Sequence, residues 1–409
     1  MKTHLYLFTF FTVIVSACAA TPTPPPSLPT SASSPTTPAV AVTNAPTPKS
    51  TLATDDPPPS NAQREFKTDF SKHSIPYSEI FSGGPPKDGI PALSNPKFVT
   101  VKEADGWLKP VEPIILFEIN GDVRAYPIQI LMWHEIVNDA VGGPPNSVAV
   151  IITFCPLCNT AIAFERTVKG QTLDFGTTGR LRYSNLVMYD RQTETWWQQG
   201  TGEAIAGELT GTKLVFRAVS IIAWDQFKAT YPNGKVLSKD TGYGRAYGSN
   251  PYSGYDDVNS SPFLYRGPKT PNVLPAVAYV LTVDLNGAAV AYPYETLKQV
   301  NVVNDNVGGK EIVVLWTAGT AASLNADTVA GGRDLGSANA FGRELEGQTL
   351  TFVFQNGRLV DKESGSEWNI LGQAVSGKFK GKSLAPVIAI NHFWFSWAAF
   401  RPETKVYKP

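Results

Sequence analysis

The chain has 409 residues, 42% of them hydrophobic, and its 35 basic side chains are balanced by 35 acidic ones. A net charge of zero argues against nucleic acid or an anionic lipid surface as the main partner. The length is sufficient for two domains in addition to a targeting segment.

Residues 1–17 have the features of an export signal. Lys2 supplies a positive charge and residues 5–15 form a short apolar run, as in secretory signal peptides. The run ends in V-S-A-C at residues 15–18, which resembles a bacterial lipobox. We therefore expect a lipoprotein signal peptide and lipidation of Cys18; an ordinary signal with a chance cysteine is the alternative. The run is too short for a membrane span, so the predicted location is extracytoplasmic, with the membrane as partner through a lipid anchor on Cys18.

Residues 18–62 are dominated by Pro, Thr, Ser and Ala. A segment with so few large apolar side chains cannot bury enough surface to offset its ordering entropy. We expect a disordered tether that holds a globular body away from the membrane.

The globular part contains repeated sequence. The run G-D-V-R-A-Y-P at residues 121–127 recurs as G-A-A-V-A-Y-P at 287–293, V-N-D at 137–139 recurs at 303–305, and G-G at 142–143 recurs at 308–309. All three share one offset, and agreement at so many ordered positions indicates an internal duplication. The predicted fold class is α+β with two similar lobes in tandem: copy one at residues 63–240, a Gly- and Tyr-rich linker loop at 241–275, and copy two at 276–409. One pseudo-symmetric domain built from both copies is the alternative.

Local patterns in copy one predict its main elements. Asn120-Gly121 between residues 114–119 and 123–126 predicts a hairpin, and Pro127 opens a predicted helix over 128–137. The apolar run 148–154 predicts a buried strand, and residues 222–231 predict a short helix that Pro232 ends.

The buried strand leads directly into Cys155-Pro156-Leu157-Cys158. Two thiols at this spacing indicate a redox dithiol or two soft metal ligands; a small local disulfide or two buried thiols is the structural alternative. A thioredoxin fold is disfavoured, because residues 159–166 resemble a strand rather than the long helix which that fold requires.

Comparison of the copies separates scaffold from candidate function. His134 aligns with Val300 and Glu135 with Asn301, while both cysteines align with residues that lack a thiol, Gly319 and Ala322. Copy one also has extra residues between positions 171 and 190. We interpret copy one as the active lobe and copy two as a supporting lobe.

Further site residues follow from this comparison. His134 precedes the cysteine strand and is a candidate third ligand or thiol activator, and Met188 is a candidate thioether ligand. Thiolates and imidazole suit copper or zinc as cofactor; without a metal the pair would cycle between dithiol and disulfide. Glu135, about 100° round the helix, is expected to face elsewhere. The extra residues contain Arg180, Arg182, Ser184 and Asn185, which are candidates for binding an anionic or polar ligand.

The combination of motifs resembles a known family. It consists of W-H-E-I-V-N-D at 133–139, F-C-P-L-C-N at 154–159, Y-D-R at 189–191, W-W-Q-Q at 196–199, G-Y-G-R at 242–245 and N-P-Y at 250–252. Together these are similar to the prokaryotic family catalogued as domain of unknown function 3179. The resemblance implies an exported or membrane-tethered protein and implies no activity.

Three functions remain open on the sequence. The first is an exported thiol or soft-metal protein centred on Cys155 and Cys158, with an unknown small ligand or redox partner. The second is an extracytoplasmic ligand-binding lipoprotein with a cleft between the lobes and structural cysteines, and the third is a scaffold without a small-molecule site. No nucleophile elbow, P-loop or dinucleotide fingerprint supports a common enzyme class.

Overall fold

The computed structural model describes residues 56–409, so Cys18, the predicted signal peptide and most of the predicted tether lie outside the described residues. The described chain falls within one compact unit and is a sheet-rich α+β structure with short helices. Its helices are α1 (Ala62–Glu65), α2 (Val101–Ala104), α3 (Ile128–His134), α4 (Trp224–Thr230), α5 (Tyr294–Val300) and α6 (Trp394–Ala398).

The strands before the predicted linker are β1 (Ile80–Ser82), β2 (Leu93–Ser94), β3 (Phe98–Thr100), β4 (Pro113–Ile119), β5 (Asp122–Pro127), β6 (Ile136–Val141), β7 (Val148–Cys155), β8 (Thr160–Glu165), β9 (Thr167–Val168), β10 (Gln171–Thr172), β11 (Phe175–Arg182), β12 (Asn185–Asp190), β13 (Trp196–Gln198), β14 (Glu203–Ala206), β15 (Phe216–Arg217), β16 (Ser220–Ala223) and β17 (Lys235–Leu237). The strands after it are β18 (Tyr279–Leu285), β19 (Ala288–Pro293), β20 (Val302–Val307), β21 (Lys310–Thr317), β22 (Ser337–Gly342), β23 (Glu344–Leu345), β24 (Gln348–Thr349), β25 (Phe352–Gln355), β26 (Arg358–Asp361), β27 (Glu367–Trp368), β28 (Ala389–Phe393) and β29 (Lys405–Val406).

Strand order is similar in the two halves. The first half forms sheets β16-β4-β5-β17-β3, β15-β8-β7-β6-β2 and β1-β11-β12-β13-β14, and the second forms β28-β18-β19-β29, β20-β21-β22 and β25-β26-β27. The series β16-β4-β5-β17 and β28-β18-β19-β29 share two antiparallel pairings followed by a parallel one. The halves therefore use the same strand order and direction in this sheet.

Each half packs its penultimate strand against the other half. Strand β28 packs on β8 of the first half, and β16 packs on β22 of the second. One hydrophobic cluster accordingly contains Ile115 and Ile152 together with Leu281 and Val314. The two halves share a continuous core, and this crossing positions second-half side chains beside the cysteines.

The local predictions have mixed outcomes. The hairpin of β4 and β5 is confirmed, with Asn120 and Gly121 at φ of 52° and 76°, and β7 is confirmed as a buried strand. The helix predicted over 128–137 is too long, because Glu135 at φ 58° leaves the helical conformation and β6 begins at Ile136. The helix predicted over 222–231 begins only at Trp224, because the preceding residues pair with β4.

Candidate functional site

The two cysteines lie in the tight connection between β7 and β8. Cys155 ends β7 and pairs with Thr160, the first residue of β8. Pro156–Cys158 form a single 3-10 turn, which Asn159 closes at a φ of 50°. Because a strand follows the motif, the thiols lack the helix N-terminus that lowers thiol pKa values in many redox proteins.

The sulfurs of Cys155 and Cys158 are in direct contact. Both thiols are free, their Sγ atoms are 2.8 Å apart, and the residues are 2% and 0% exposed. The Ser184 carbonyl oxygen lies 3.2 Å from the Cys158 sulfur and 3.7 Å from that of Cys155. Burial, reinforced by the hydrogen bond with Cys155, raises the pKa of the Cys158 thiol well above 9.0. The site therefore favours the neutral thiol over the thiolate at Cys158.

An extended hairpin brings Ser184 to the cysteines. Strands β11 and β12 pair as far as Arg182 with Asn185, whereas β25 and β26 form a shorter ladder in the second half. Tyr183 and Ser184 make the tip at φ values of 55° and 62°. The extra residues of copy one are thus an extension of this hairpin, and its tip reaches the thiols.

Asn185 donates a hydrogen bond to the cysteine pair. Its side-chain nitrogen lies 3.3 Å from the Cys158 sulfur and 2.9 Å from the Gln199 oxygen. Gln199 in turn donates to the Thr153 hydroxyl at 3.0 Å and to the Thr160 carbonyl at 3.2 Å. This buried network fixes the Asn185 amide with an N–H towards sulfur, where it lowers the pKa of Cys158 against the effect of burial.

Arg180 and Arg182 point to other partners. The Arg180 guanidinium donates to Glu65 at 2.9 Å, and Arg182 donates to Glu79 at 2.7 Å. Both arginines therefore hold the segment that precedes β1 against the hairpin. Of the four residues predicted to bind a polar ligand, the structure brings Ser184 and Asn185 to the thiols and engages the two arginines in ion pairs.

His134 uses both ring nitrogens away from the cysteines. Nδ1 lies 2.7 Å from the Pro91 carbonyl oxygen, so it carries the proton, and Nε2 lies 2.6 Å from the Tyr247 hydroxyl, which donates to it. Burial lowers the pKa of His134. In the described residues no hydrogen bond joins His134 to either sulfur, so its predicted role as ligand or thiol activator has no geometric support.

Glu135 is buried at the end of α3. It was expected to face elsewhere than His134; the structure shows that its positive φ ends α3 and that the residue is 8% exposed. Its backbone carbonyl accepts the Phe154 N–H at 2.8 Å, directly before Cys155. Burial raises the pKa of Glu135 to about 8, and the Glu135 charge acts on Cys158.

Met188 shares the apolar cluster that contains both cysteines. On β12 it pairs with Trp197, as a core side chain does.

Over residues 56–409 no group of three or more His, Cys, Asp or Glu side chains is arranged to hold a metal ion. The predicted copper or zinc site therefore has at most the two sulfurs as ligands from these residue types.

The predicted linker packs over the cysteine turn. The Tyr255 hydroxyl donates to the Leu157 carbonyl at 2.9 Å, and the Ser184 hydroxyl donates to the Phe263 carbonyl at 2.8 Å. Burial, with smaller contributions from the charges of Glu135 and Cys155, raises the pKa of Tyr252. The sequence predicted a Gly- and Tyr-rich linker loop here, but not that Tyr255 bonds to the cysteine turn.

Second-half residues complete the site. His392 on β28 lies 2.8 Å from the Thr160 hydroxyl, and Ser396 on α6 donates to the Cys158 carbonyl at 3.4 Å. Burial lowers the pKa of His392 to about 3, so the ring is neutral. Its Nε2 has no hydrogen-bond partner among the described residues. The sequence did not predict the position of His392 beside the cysteine turn.

The equivalent position in the second half has no thiol. Asn301 ends α5 as Glu135 ends α3, and its carbonyl accepts the Trp316 N–H at 2.8 Å. This register aligns Thr317, rather than Gly319, with Cys155. Gln226 of α4 donates to the Thr317 hydroxyl at 3.1 Å. The second half therefore carries a hydroxyl and amide network where the first carries the thiols.

Comparison with known families agrees with these motifs. The family model described as protein of unknown function (DUF3179) matches residues 87–404. The chain belongs to the DUF3179 family. No curated protein and no solved structure matches the chain.

The DUF3179 match includes all the thiol-site residues described above, from Glu135 to His392. Within the described residues, no helix combines the length and the apolar character that crossing a membrane requires.

Proposed function

We propose that the protein is an exported lipoprotein whose Cys155 and Cys158 form a thiol redox couple. The observation that carries the proposal is the contact between two buried free sulfurs, 2.8 Å apart, beside an amide donor. A disulfide bond is about 2.0 Å long, so the pair needs only a small movement to close. The partner of such a couple is a protein or small molecule that carries a thiol or disulfide; no role for nucleic acid is proposed.

The metal alternative has weaker support. Two thiolates on tetrahedral zinc, each at about 2.3 Å, stand about 3.8 Å apart, which is farther than the 2.8 Å between these sulfurs. A copper or zinc site would also draw on His134 or Met188, and the His134 nitrogens already bond to Pro91 and Tyr247. Redox cycling without a metal is therefore the preferred function.

The ligand-binding alternative would treat the cysteines as structural. A pocket of about 210 Å³ is lined by residues from Leu93 to Lys97 and from Leu237 to Gly242. It is smaller than the roughly 300 Å³ at which small-molecule sites usually begin. It also lies beside copy one and the start of the linker rather than between the predicted lobes. No feature of this pocket favours ligand binding over thiol chemistry.

Anaerobic purification distinguishes these functions. The redox couple predicts protein free of copper and zinc, with two thiols by titration after mild reduction and none after mild oxidation. Cys155→Ser and Cys158→Ser should each leave one permanent thiol. Bound metal that is lost from both variants would establish the metal centre instead. If the thiols stay reduced and unreactive in the folded protein, the redox function is wrong and the ligand-binding function is the one that remains.

We also infer that residues 63–240 and 276–409 are duplicated copies assembled as one pseudo-symmetric body. Support comes from the shared strand order and from the packing of β16 and β28 on strands of the opposite half. Because the penultimate strand of each half packs against the other half, residues 63–275 expressed alone should fail to fold cooperatively. A cooperative unfolding transition of this fragment would contradict the shared body.

Membrane tethering rests on the sequence alone. V-S-A-C at residues 15–18 and the Pro-, Thr- and Ser-rich residues 18–62 support a lipid on Cys18 followed by a disordered tether. Cys18→Ala should accumulate unprocessed precursor or release the protein from membranes. Mature Cys18→Ala protein that still sediments with membranes would show that a different anchor exists.

A further inference from the structure

Asn185 is a buried amide whose side-chain nitrogen contacts one of the two sulfurs. The residue is 1% exposed, and its Nδ2 lies 3.3 Å from the Cys158 Sγ. A neutral thiol sulfur is only a weak hydrogen-bond acceptor. A thiolate accepts more strongly, because hydrogen bonds to an ionised group are roughly twice as strong as those between neutral groups. The Asn185 N–H therefore binds the Cys158 sulfur most strongly when that sulfur carries negative charge.

Backbone groups at both ends of the amide network fix which end of Asn185 faces the sulfur. The Gly200 backbone N–H, which can only donate, lies 2.8 Å from the Asn185 Oδ1. The Thr160 backbone carbonyl, which can only accept, receives the Gln199 Nε2 at 3.2 Å, so the Gln199 Oε1 is the atom that faces Asn185, at 2.9 Å. Asn185 must then present its nitrogen to Gln199 and to the sulfur. The donor is held by groups that cannot exchange their roles.

The two sulfurs differ in the donors that they receive. Among the described residues the Cys155 sulfur has two hydrogen-bond contacts, with the Cys158 sulfur at 2.8 Å and with the Ser184 carbonyl oxygen at 3.7 Å. A carbonyl oxygen cannot donate to a thiolate. The Cys158 sulfur receives the Asn185 N–H and can also receive the S–H of Cys155. Of the pair, Cys158 is the sulfur arranged to carry negative charge.

The hairpin extension that supplies Asn185 occurs only in the half with the thiols. Strands β11 and β12 pair as far as Arg182 with Asn185, whereas the shorter ladder of β25 and β26 ends at Gln355 with Arg358. The extension is therefore missing from the second half, which also lacks the thiols. Donor and thiols occur together, as expected if the donor serves the thiols.

We propose that Asn185 is a catalytic residue of the Cys155–Cys158 couple, whose N–H stabilises the negative charge that forms on the Cys158 sulfur when the disulfide bond breaks. This proposal rests on the redox function proposed above and adds which sulfur leaves and what stabilises it. Cys155 is accordingly the sulfur that exchanges with the partner. The partner required is a thiol or dithiol.

Reduction of the disulfide form by a partner dithiol takes two exchange steps. One partner thiolate attacks the Cys155 sulfur, the bond between Cys155 and Cys158 breaks, and Cys158 leaves as a thiolate that accepts the Asn185 N–H. The second partner thiolate attacks the partner sulfur of the mixed disulfide, and Cys155 leaves as a thiolate. The two cysteine thiolates take up the two protons that the partner thiols lost. Two electrons pass from the partner, which becomes a disulfide, to the protein, which becomes a dithiol.

Burial gives the Asn185 donor its importance for the rate. Burial raises the pKa of the Cys158 thiol, and a thiol of high pKa leaves slowly. The Asn185 N–H acts on the same sulfur in the opposite direction. The disulfide and the neutral thiol carry no charge on this sulfur, whereas the transition state does. Loss of the donor should therefore slow the exchange in both directions and leave its equilibrium nearly unchanged.

The test is the rate at which dithiothreitol reduces the oxidised protein at pH 9, followed by alkylation of the thiols and mass spectrometry. Asn185→Ala removes the donor, and Asn185→Asp replaces it by a carboxylate while keeping an oxygen for the Gly200 N–H. Both variants should be reduced at least about tenfold more slowly than wild type, because a hydrogen bond to a charged group is stronger than one to a neutral group by about that factor. The equilibrium constant with dithiothreitol at pH 7, where the Cys158 thiol is neutral, should change by less than about threefold.

Matched controls are Asn138→Ala and Asn138→Asp. Asn138 is also a buried amide, 2% exposed, and the two ends of its side chain bond to the Phe175 carbonyl at 2.8 Å and to the Phe175 N–H at 2.7 Å. Its hydrogen bonds within the described chain do not include either sulfur. Both control variants should keep the wild-type rate of reduction.

Two results would overturn the catalytic role of Asn185. Rates within about twofold of wild type in both Asn185 variants would show that the donor does not assist the reaction, and the redox function would stand. A loss of rate matched by an equal change in the equilibrium constant would show that Asn185 maintains the structure of the site instead. If wild-type protein forms no Cys155–Cys158 disulfide, the redox function itself fails.

Discussion

Replacing Glu135 by glutamine should change how the stability of this protein depends on pH. The pKa of Glu135 is about 8 in the folded protein, against an ordinary value of 4.5, and the cause is burial. Between these pH values the folded state keeps the proton and the unfolded state releases it. Ionisation of the unfolded chain therefore lowers the free energy of unfolding as the pH rises.

The size of this effect follows from the two pKa values. The difference between 4.5 and about 8, at about 1.4 kcal/mol per factor of ten in proton affinity, corresponds to about 5 kcal/mol. Wild type should lose up to this amount between pH 4.5 and pH 8, with a slope near 1.4 kcal/mol for each pH unit. Glu135→Gln has no proton to release and should lack this contribution. The free energy of unfolding of Glu135→Gln relative to wild type should therefore increase by about the same amount between pH 4.5 and pH 8.

Urea denaturation of the reduced protein at half-unit pH steps measures this difference. A reductant must be present throughout, because formation of a disulfide would change the titration of the cysteines. The quantity to compare is the difference in unfolding free energy between wild type and Glu135→Gln. If that difference stays constant within about 0.5 kcal/mol from pH 5 to pH 8, Glu135 is not a buried acid of raised pKa.

Three further predictions concern neighbouring groups. His392 has a pKa of about 3 against an ordinary 6.5, so wild type should lose up to about 5 kcal/mol as the pH falls from 6.5 to 3; urea denaturation should show a flatter acid limb for His392→Gln, and an unchanged limb would contradict the buried neutral ring. Cys158→Ser should accumulate a mixed disulfide at Cys155 with a small disulfide reagent, detected by mass spectrometry, because the second thiol that releases it is gone; equal trapping in Cys155→Ser would show that attack does not begin specifically at Cys155. Tyr255→Phe removes the hydrogen bond to the cysteine turn, worth about 1 kcal/mol, and should speed alkylation of the thiols by roughly fivefold; Tyr265→Phe, whose hydroxyl bonds only within the linker, should not, and equal rates in all three proteins would show that the linker does not control access.

Several parts of this structure could be read from local sequence. The Asn120-Gly121 turn needs positive φ at both residues, and the apolar run ending at Cys155 is long enough only for a buried strand. Repetition of these signals indicated two similar halves, and comparison of the repeats singled out the cysteines. These features depend on short-range backbone preferences and on residue order, which are present in the sequence itself.

The surroundings of the thiols could not be read in this way. A helical pattern suggested that His134 would face the cysteines, but its ring nitrogens bond to Pro91 and Tyr247, and the positive φ of Glu135 ends α3. The repeat comparison already contained the useful signal, since Asn301 replaces this acid in the second half. The helical pattern gave this difference between Glu135 and Asn301 no weight, because such a pattern assumes that the helix continues.

The sequence by itself determined the strands, the turns and the position of the thiol pair, because these depend on neighbouring residues. Only the tertiary structure decided which groups surround the cysteine turn. Asn185 reaches the Cys158 sulfur from an extended hairpin, Tyr255 of the linker bonds to the Leu157 carbonyl, and His392 of the second half bonds to Thr160. Their distance from Cys158 along the chain ranges from tens of residues to more than two hundred. Such contacts result from the packing of a shared core, which buries apolar side chains of both halves together and carries their polar neighbours with them.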